Sequence, residues 1–427
     1  MLMKLETLCL HGGQSIDPTT NSRAVPLYRT SSYVFNSSEH AANLFALKEL
    51  GYIYTRLQNP TTDVLEKRVA LLEGAPEMGG LALASGTSAI FYTIINIAQA
   101  GDNIVSANSL YGGTYTQFND ILPSLGIEVK FVDPNKPDEI AAAIDDNTRG
   151  VFIETISNPA SEVTDIEAIA EIAHAAGLPL IADSTFTTPH LCRPLDHGAD
   201  IVIHSLTKWL GGHGTGIGGI VIDSGTFNWA AGKHPLYDKP DTSYHGLRWG
   251  HDLPEPLAPL AFILRMRTVP LRNLGACIAP DNSWMAMQGI ETLPLRMDRH
   301  CENTLAVAKY LQDHDAVEWV KYPGLESDSQ HAKSKKYLNG MGGSVLVFEI
   351  KGGREAGQNF IDKLQLFSHL ANVGDAKSLA IHPSSTTHSQ MSEEQQTKGG
   401  ITPGMVRLSV GIEHIDDIIA DLETALQ

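Results

Sequence analysis

The chain has 427 residues, enough for two or three domains with sizeable cores, and its 42% apolar and 19% charged composition is that of an ordinary globular protein. A formal net charge of −18 argues against nucleic acid or an anionic membrane as partner, because both present phosphates that such a surface repels. Cys9, Cys192, Cys277 and Cys301 are scattered without C-x-x-C spacing, and Lys4 and Glu6 interrupt any apolar signal core, so a disulfide framework, a zinc site and export are not expected and a cytoplasmic setting is.

Residues 1–60 carry little periodic apolar pattern and are rich in Thr, Ser, Tyr and Asn. A segment without a core of its own is expected to lie across something else, such as another subunit. Within it, Tyr54 and Arg56 read on their own as a surface aromatic and a solvated cation. Thr61 or Thr62 is placed to cap a helix beginning near Val64, and Gly74 to end it. Residues 80–84 are strand-like, and Ser85, Gly86, Thr87 and Ser88 open a helix expected over 89–98. A strand, a small-residue turn and a helix N-terminus can form an anion site, since free N–H groups and the helix dipole point at one place; the plainer reading is a simple N-cap.

Another short strand, 103–107, leads into Tyr111-Gly112-Gly113, a turn in which an aromatic ring can stack on a planar ligand or simply be half-buried. Strands over 128–132 and 150–154 follow, the second ending in Thr155-Ile156-Ser157-Asn158-Pro159. Asn158 there is either a commonplace turn residue or an amide donor to a ligand. Asp165 is expected to cap a helix over 166–176.

The most informative stretch comes next. An apolar run at 178–182 ends in a single carboxylate, Asp183, and a second at 200–203 ends in His204-Ser205-Leu206-Thr207-Lys208 followed by glycines. Both read as buried strands with polar residues at their carboxyl ends, where ligands bind in an open α/β sheet. An amine and a buried carboxylate facing one crevice are what pyridoxal 5'-phosphate needs, the lysine to condense with its aldehyde and the carboxylate to hold its ring nitrogen protonated. Ser205 and Thr207 offer hydroxyls to a phosphate. Gly214, Gly216 and Gly219 also satisfy G-x-G-x-x-G, but they lead into a strand rather than a helix, so a dinucleotide site is discounted. Strands alternating with helices over 64–223 imply a mainly parallel sheet with helices on both faces.

Residues 224–254 are aromatic and rich in Gly and Pro without clear period, and read as a lid or as a packed surface loop. Helical pattern runs from 257 to about 313. After Pro323 strands at 344–350 and 404–410 and helices at 355–364 and 415–426 suggest a smaller α+β domain. Arg407 lies inside an apolar strand and needs an anion, either a structural carboxylate or a ligand. His382 and His388 sit in a loop without an acidic neighbour, which makes a loop role the better reading than a metal site.

S-x-T-K at Ser205 to Lys208 with a downstream Gly-His-Gly, the upstream A-D-S-T-F, and R-x-D-R-H-x-x-N at Arg296 to Asn303 resemble the Cys/Met-metabolism family of pyridoxal-phosphate enzymes over nearly the whole chain. Within it the O-acetylhomoserine sulfhydrylase branch is the nearer match. The resemblance implies a fold-type I α/β transferase with an N-terminal arm over 1–63, a cofactor domain over 64–290 and a small α+β domain over 291–427. It implies that Lys208, Asp183 and Tyr111 are catalytic, with Ser85, Gly86, Thr87, Ser205 and Thr207 at the phosphate and Asn158 at the ring oxygen or the substrate carboxylate. Tyr54 and Arg56, in Y-x-R-x-x-N-P-T, are implied to reach the phosphate of a neighbouring subunit, Tyr54 also touching substrate. Arg407 and Asn372 are assigned to the substrate α-carboxylate, Asn372 standing where related γ-lyases and synthases carry Ser.

The reaction implied is γ-replacement: O-acetyl-L-homoserine and sulfide, or a thiol such as methanethiol, give L-homocysteine, or L-methionine, and acetate in methionine biosynthesis. Gly113, where methionine γ-lyases carry Cys, and Gly-His-Gly-Thr after Lys208, where cystathionine enzymes carry Gly-His-Ser-Asp, favour that branch. Methionine γ-lyase, cystathionine γ-synthase or lyase, and a cofactor-bound scaffold without turnover are the alternatives. Small-molecule substrates, no metal, and a homo-oligomer of at least two subunits, with a tetramer by analogy, complete the expectation.

Overall fold

The computed structural model describes residues 3–386, 389, 394 and 400–427. Seven strands form the first sheet: β1 (Gly80–Leu83), β2 (Asn103–Ala107), β3 (Glu128–Val132), β4 (Thr148–Glu154), β5 (Leu180–Asp183), β6 (Ile201–Ser205) and β7 (Gly219–Asp223), in the order β1-β7-β6-β5-β4-β2-β3. β2 to β6 pair in parallel, and β7 is antiparallel to both β6 and β1. Leu81, Val105, Phe152, Ile181, Val202 and Val221 are all buried, because helices cover both faces and leave no side of these strands to water. Only edge strand β3 keeps a partly exposed pattern.

Strands β4, β5 and β6 are adjacent and parallel, so their carboxyl ends, at Glu154, Asp183 and Ser205, open onto one crevice. The helix α3 (Pro60–Glu73) starts with Pro60 at its first position and stops at Gly74, whose φ of +82° suits a left-handed cap. Its cap is Asn59, which accepts from Thr61 N–H; neither Thr61 nor Thr62 plays that part. The next helix, α4 (Gly86–Ile97), begins three residues earlier than expected, with Ser85 and Ser88 forming a capping box.

A second sheet lies toward the C-terminus: β8 (Val317–Lys321), β9 (Val345–Ile350), β10 (Ser368–His369), β11 (Leu379–Ile381) and β12 (Met405–Ser409), in the order β10-β11-β12-β9-β8. Leu346, Phe348, Phe360, Leu408, Ile418 and Leu422 make a core of its own. The helix Leu293–Gln312 joins the two halves, and the R-x-D-R-H-x-x-N run on it explains how. Arg296 donates to Trp209 O (2.9 Å), while His300 Nδ1 bonds Val410 O (2.6 Å) and Asn303 donates to Gly411 O (2.9 Å). One helix therefore ties the residue after Lys208 to the end of the strand that carries Arg407.

Some local expectations differ from the fold. Asp165 precedes the helix Ile166–Ala175 but does not cap it with its side chain, which accepts instead from the Tyr337 hydroxyl and pairs with Lys336 (3.3 Å). Residues 1–60 contain two helices, α1 (Leu5–His11) and α2 (Ser38–Phe45), that carry too little periodic signal to be read. The 224–254 stretch buries Trp229, Tyr237, Tyr244 and Trp249 against the first core, so the packed-loop reading describes it and the lid reading does not. His382 Nδ1 bonds Ser385 Oγ (2.7 Å) and Nε2 bonds Pro403 O (2.8 Å), a loop role; His388 lies outside the described residues. Among the described residues no helix is long and apolar enough to cross a membrane.

Candidate active site

A cavity of about 200 Å³ sits at the carboxyl ends of β4 to β6, flanked on its other side by Arg407 of β12 and by Ala371, Asn372 and Val373. Its phosphate-sized end is built from two turns. Gly86 and Thr87 are the first residues of α4, ahead of its hydrogen-bond ladder, which starts with Ala89 N–H to Ser85 O (3.0 Å), so their N–H groups remain available. Across from them, β6 delivers Ser205 and Thr207. The two turns approach so closely that a Cβ on Gly86 would lie 2.8 Å from Ser205 Cβ. Only glycine lets these donors converge, and four small or hydroxyl residues around a helix N-terminus form an anion cup.

Asp183, at the end of β5, is part-buried and lines the cavity. Its Oδ1 accepts from Thr185 N–H (3.0 Å) and Thr185 Oγ1 (2.6 Å), and Oδ2 has no hydrogen bond among the described residues. Burial pushes its carboxyl up, opposed by the two Thr185 bonds and by the nearby His204. A part-buried carboxylate with one oxygen spoken for and one free suits a protonated ring nitrogen.

Lys208 follows β6 in a turn with φ −92° and ψ −137°, and its Nζ donates to Asn372 Oδ1. Burial, then the positive charge of Arg407, lowers its amine to about 8. Arg407, on β12, donates to Asn158 Oδ1 (2.9 Å) and Asn372 O (3.3 Å), both neutral. No carboxylate pairs with it among the described residues, which removes the structural-carboxylate reading. Burial lowers its guanidinium to about 10, so a cation faces the cavity with no carboxylate paired to it among the described residues.

Tyr111 lies at the mouth, half exposed, with its ring against Gly113: a Cβ there would fall 2.5 Å from Tyr111 Cε1. Thus the structure brings together Ser85, Gly86, Thr87, Tyr111, Asn158, Asp183, Ser205, Thr207, Lys208, Asn372 and Arg407 around one cavity. It does not bring Tyr54 or Arg56 there. The Arg56 guanidinium lies 5.1 Å from the ring centre of its own Tyr54, and Arg56 Nε is buried without a hydrogen bond among the described residues. Two polar lining residues, Thr185 and Glu154, carry no role in the sequence reading. Thr185 holds Asp183 and also accepts from Ser205 N–H (2.9 Å), and Glu154 presents a second carboxyl. Their signal was available, since both flank strand ends already singled out.

The lowered Lys208 amine gives a stability prediction for the cofactor-free protein. The folded chain releases this proton near pH 8, the unfolded chain near its ordinary 10.5, so between those values the unfolded state binds more protons and stability rises with pH. Below pH 8 the buried charge is a cost. Lys208→Met should therefore resist urea better than wild type at pH 7, and the difference should close by pH 10 in paired urea melts.

An amine, a part-buried carboxylate and an anion cup at the carboxyl edge of a mainly parallel sheet define a fold-type I pyridoxal-phosphate enzyme, and the donor set present fits that cofactor. The chain belongs to the family described as Cys/Met metabolism PLP-dependent enzymes, whose model matches residues 6–427. It is 56% identical to O-acetyl-L-homoserine sulfhydrylase of Leptospira meyeri, over 99% of this chain and 97% of that one. It is 52% identical to O-acetyl-L-homoserine sulfhydrylase 1 of Thermus thermophilus, over 99% of this chain and 100% of the relative. A crystal structure of an O-acetylhomoserine (thiol)-lyase from Campylobacter jejuni, with N'-pyridoxyl-lysine-5'-monophosphate at its position 205, superposes with a TM-score of 0.95. That protein is 42% identical, with 99% of this chain and 100% of that one covered.

Proposed function

We propose that this chain catalyses pyridoxal-phosphate-dependent γ-replacement, converting O-acetyl-L-homoserine and sulfide, or a thiol such as methanethiol, to L-homocysteine, or L-methionine, and acetate in cytoplasmic methionine biosynthesis. The observation that carries it is the cluster of Lys208, Arg407, Asn158 and Asn372, an amine beside a buried guanidinium with no carboxylate paired to it among the described residues. The substrate α-carboxylate completes that guanidinium. Its fork and the Asn158 and Asn372 amides then fix the α-carbon close to the Lys208 Nζ.

When bound, pyridoxal phosphate supplies an electron sink conjugated with the substrate α-carbon. The residues do the rest. Gly86, Thr87, Ser205 and Thr207 would hold its phosphate, and Asp183 would keep its ring nitrogen protonated. Lys208, with an amine near 8, is largely charged at neutral pH but able to exchange a proton there, and it moves protons at the α- and β-carbons. Acetate leaves the γ-carbon as an anion and the sulfur nucleophile adds at the same carbon. Tyr111 would cover the cofactor ring, and its half-exposed phenol at the mouth would be free to assist proton transfer. Gly113 supports the replacement reading over a γ-lyase, because it stands where methionine γ-lyases carry Cys, and here the Tyr111 ring lies directly against it.

The site of a single chain lacks Tyr54 and Arg56, and we infer that each subunit lends them to its neighbour. A dimer is then the smallest active unit and a tetramer fits by analogy, with residues 1–63 as the exchanging arm, 64–290 as the cofactor domain and 291–427 as the small domain.

Purified protein supplied with pyridoxal phosphate, O-acetyl-L-homoserine and sulfide should form homocysteine and acetate in equal amounts, and none without sulfide. L-methionine or L-cystathionine alone should give little keto acid or ammonia. Keto acid from either, with no sulfide-dependent product, would move the chain to the lyases.

A further inference from the structure

Glu154 ends β4 directly beside Asp183 on β5; the two are register partners on parallel strands, so their carboxyls share one face of the sheet and both line the cavity. Glu154 Oε1 accepts the Tyr111 N–H at 2.7 Å, reaching across from β4 to the turn after β2. That turn opens the short helix Gly112–Thr116 and lays the Tyr111 ring against Gly113. Tyr111 has no side-chain cap on this turn, and its ring is half exposed, so the backbone bond is what fixes where the ring stands.

We propose that Glu154 is the positioning residue for Tyr111, its carboxyl accepting the Tyr111 N–H and so anchoring the turn on which the ring stands, beside Asp183 on the neighbouring strand. This rests on the reading above that Tyr111 and Asp183 face the ring. Two carboxyls side by side in one cavity cannot both ionise cheaply, and their surroundings decide which does. Asp183 has two donors from Thr185 on one oxygen. Glu154 has the Tyr111 N–H, with a weaker contribution from the Asn158 N–H, and burial followed by repulsion from Asp183 raises it well above the usual carboxylate range. Lys208 and Arg407 supply the positive charge in the same cavity. A second anion at 154 would work against ionisation of Asp183, whereas a neutral carboxyl serves the Tyr111 N–H without that penalty.

The amide of glutamine keeps the acceptor and has no charge, so it separates this role from that of an ionised group. Cofactor affinity is read by titrating the cofactor-free full-length protein with pyridoxal phosphate and following tryptophan fluorescence, which does not depend on which reaction the enzyme runs. Glu154→Gln should keep both the dissociation constant and turnover within about threefold of wild type, whereas Glu154→Ala should weaken cofactor binding by about tenfold, the size of one lost buried hydrogen bond. In a Tyr111→Ala background the Glu154→Ala change should cost nothing further, because the residue acts through the tyrosine. Additive losses, or a glutamine variant as weak as the alanine one, overturn the proposal. Should Glu154→Ala not fold, Glu154→Met, which keeps the bulk and removes the acceptor, takes its place in the same comparison with Glu154→Gln and Tyr111→Ala. A wild-type protein that binds the cofactor but makes no homocysteine would refute the reaction assigned above while leaving this cycle readable.

Discussion

Lys208→Ala is expected to lower turnover by about 10⁴-fold, the upper range for removing a general acid–base group, while the protein still binds pyridoxal phosphate. The phosphate contacts proposed for Gly86, Thr87, Ser205 and Thr207 and the proposed role of the Asp183 carboxylate do not depend on the amine, so cofactor affinity should fall far less than rate. The two effects can be told apart on one preparation. After borohydride treatment, the wild-type peptide containing Lys208 should gain the mass of a pyridoxyl phosphate group, and no peptide of the alanine variant should. The environment of the amine suits it to that role. Burial and Arg407 hold it near 8, so it can exchange a proton close to neutral pH, and Asn372 Oδ1 fixes where Nζ stands. Substituting Arg for Lys208 would keep the charge but not the titration, since a guanidinium does not give up its proton in this range. A Lys208→Ala protein with full turnover would remove the lysine from the chemistry altogether.

How much of this was legible beforehand follows the physics of each signal. Runs such as 178–182 and 200–203 announced buried strands because helices cover both faces of the sheet, and a chain that buries a strand on both sides writes an unbroken apolar run. Asp183 and Lys208 stood out because each ends such a run, and strand ends are where the sheet exposes functional groups. Contacts made across long sequence separations left no comparable mark. Glu154 was visible as a residue but not as a partner of Tyr111, since that bond spans 43 positions and joins a strand end to a turn. The same holds for Arg296, His300 and Asn303, whose value lies in what they tie together. Local capping misled twice for a related reason. Asp165 is taken by Tyr337, far along the chain, and Asn59 preempts the threonines because Pro60 starts the helix earlier than apolar periodicity suggests.

Co-expressing Arg56→Ala with Lys208→Ala chains should restore activity that neither variant has when expressed alone. If each subunit lends Tyr54 and Arg56 to its neighbour, a mixed dimer contains one site with both defects and one with none. The intact site combines the Lys208 of the Arg56→Ala chain with the Arg56 of the Lys208→Ala chain, so a mixed dimer should reach about half the wild-type rate, as expected for a two-fold assembly with a shared site. Were Arg56 to serve its own chain, each mixed dimer would carry one defect per site and stay inactive. Two features of the single chain support the first outcome. Arg56 is absent from the cavity that gathers the other residues proposed for the phosphate, and its Nε is buried without a hydrogen bond among the described residues, an arrangement that costs free energy unless a partner surface supplies an acceptor. The exposed apolar residues of the same arm, including Val34, Phe45 and Leu50, point the same way, because a segment that packs only on its own domain has no reason to leave them in water. Separately purified variants mixed without subunit exchange should stay inactive, and that control separates a shared site from simple reversal of misfolding.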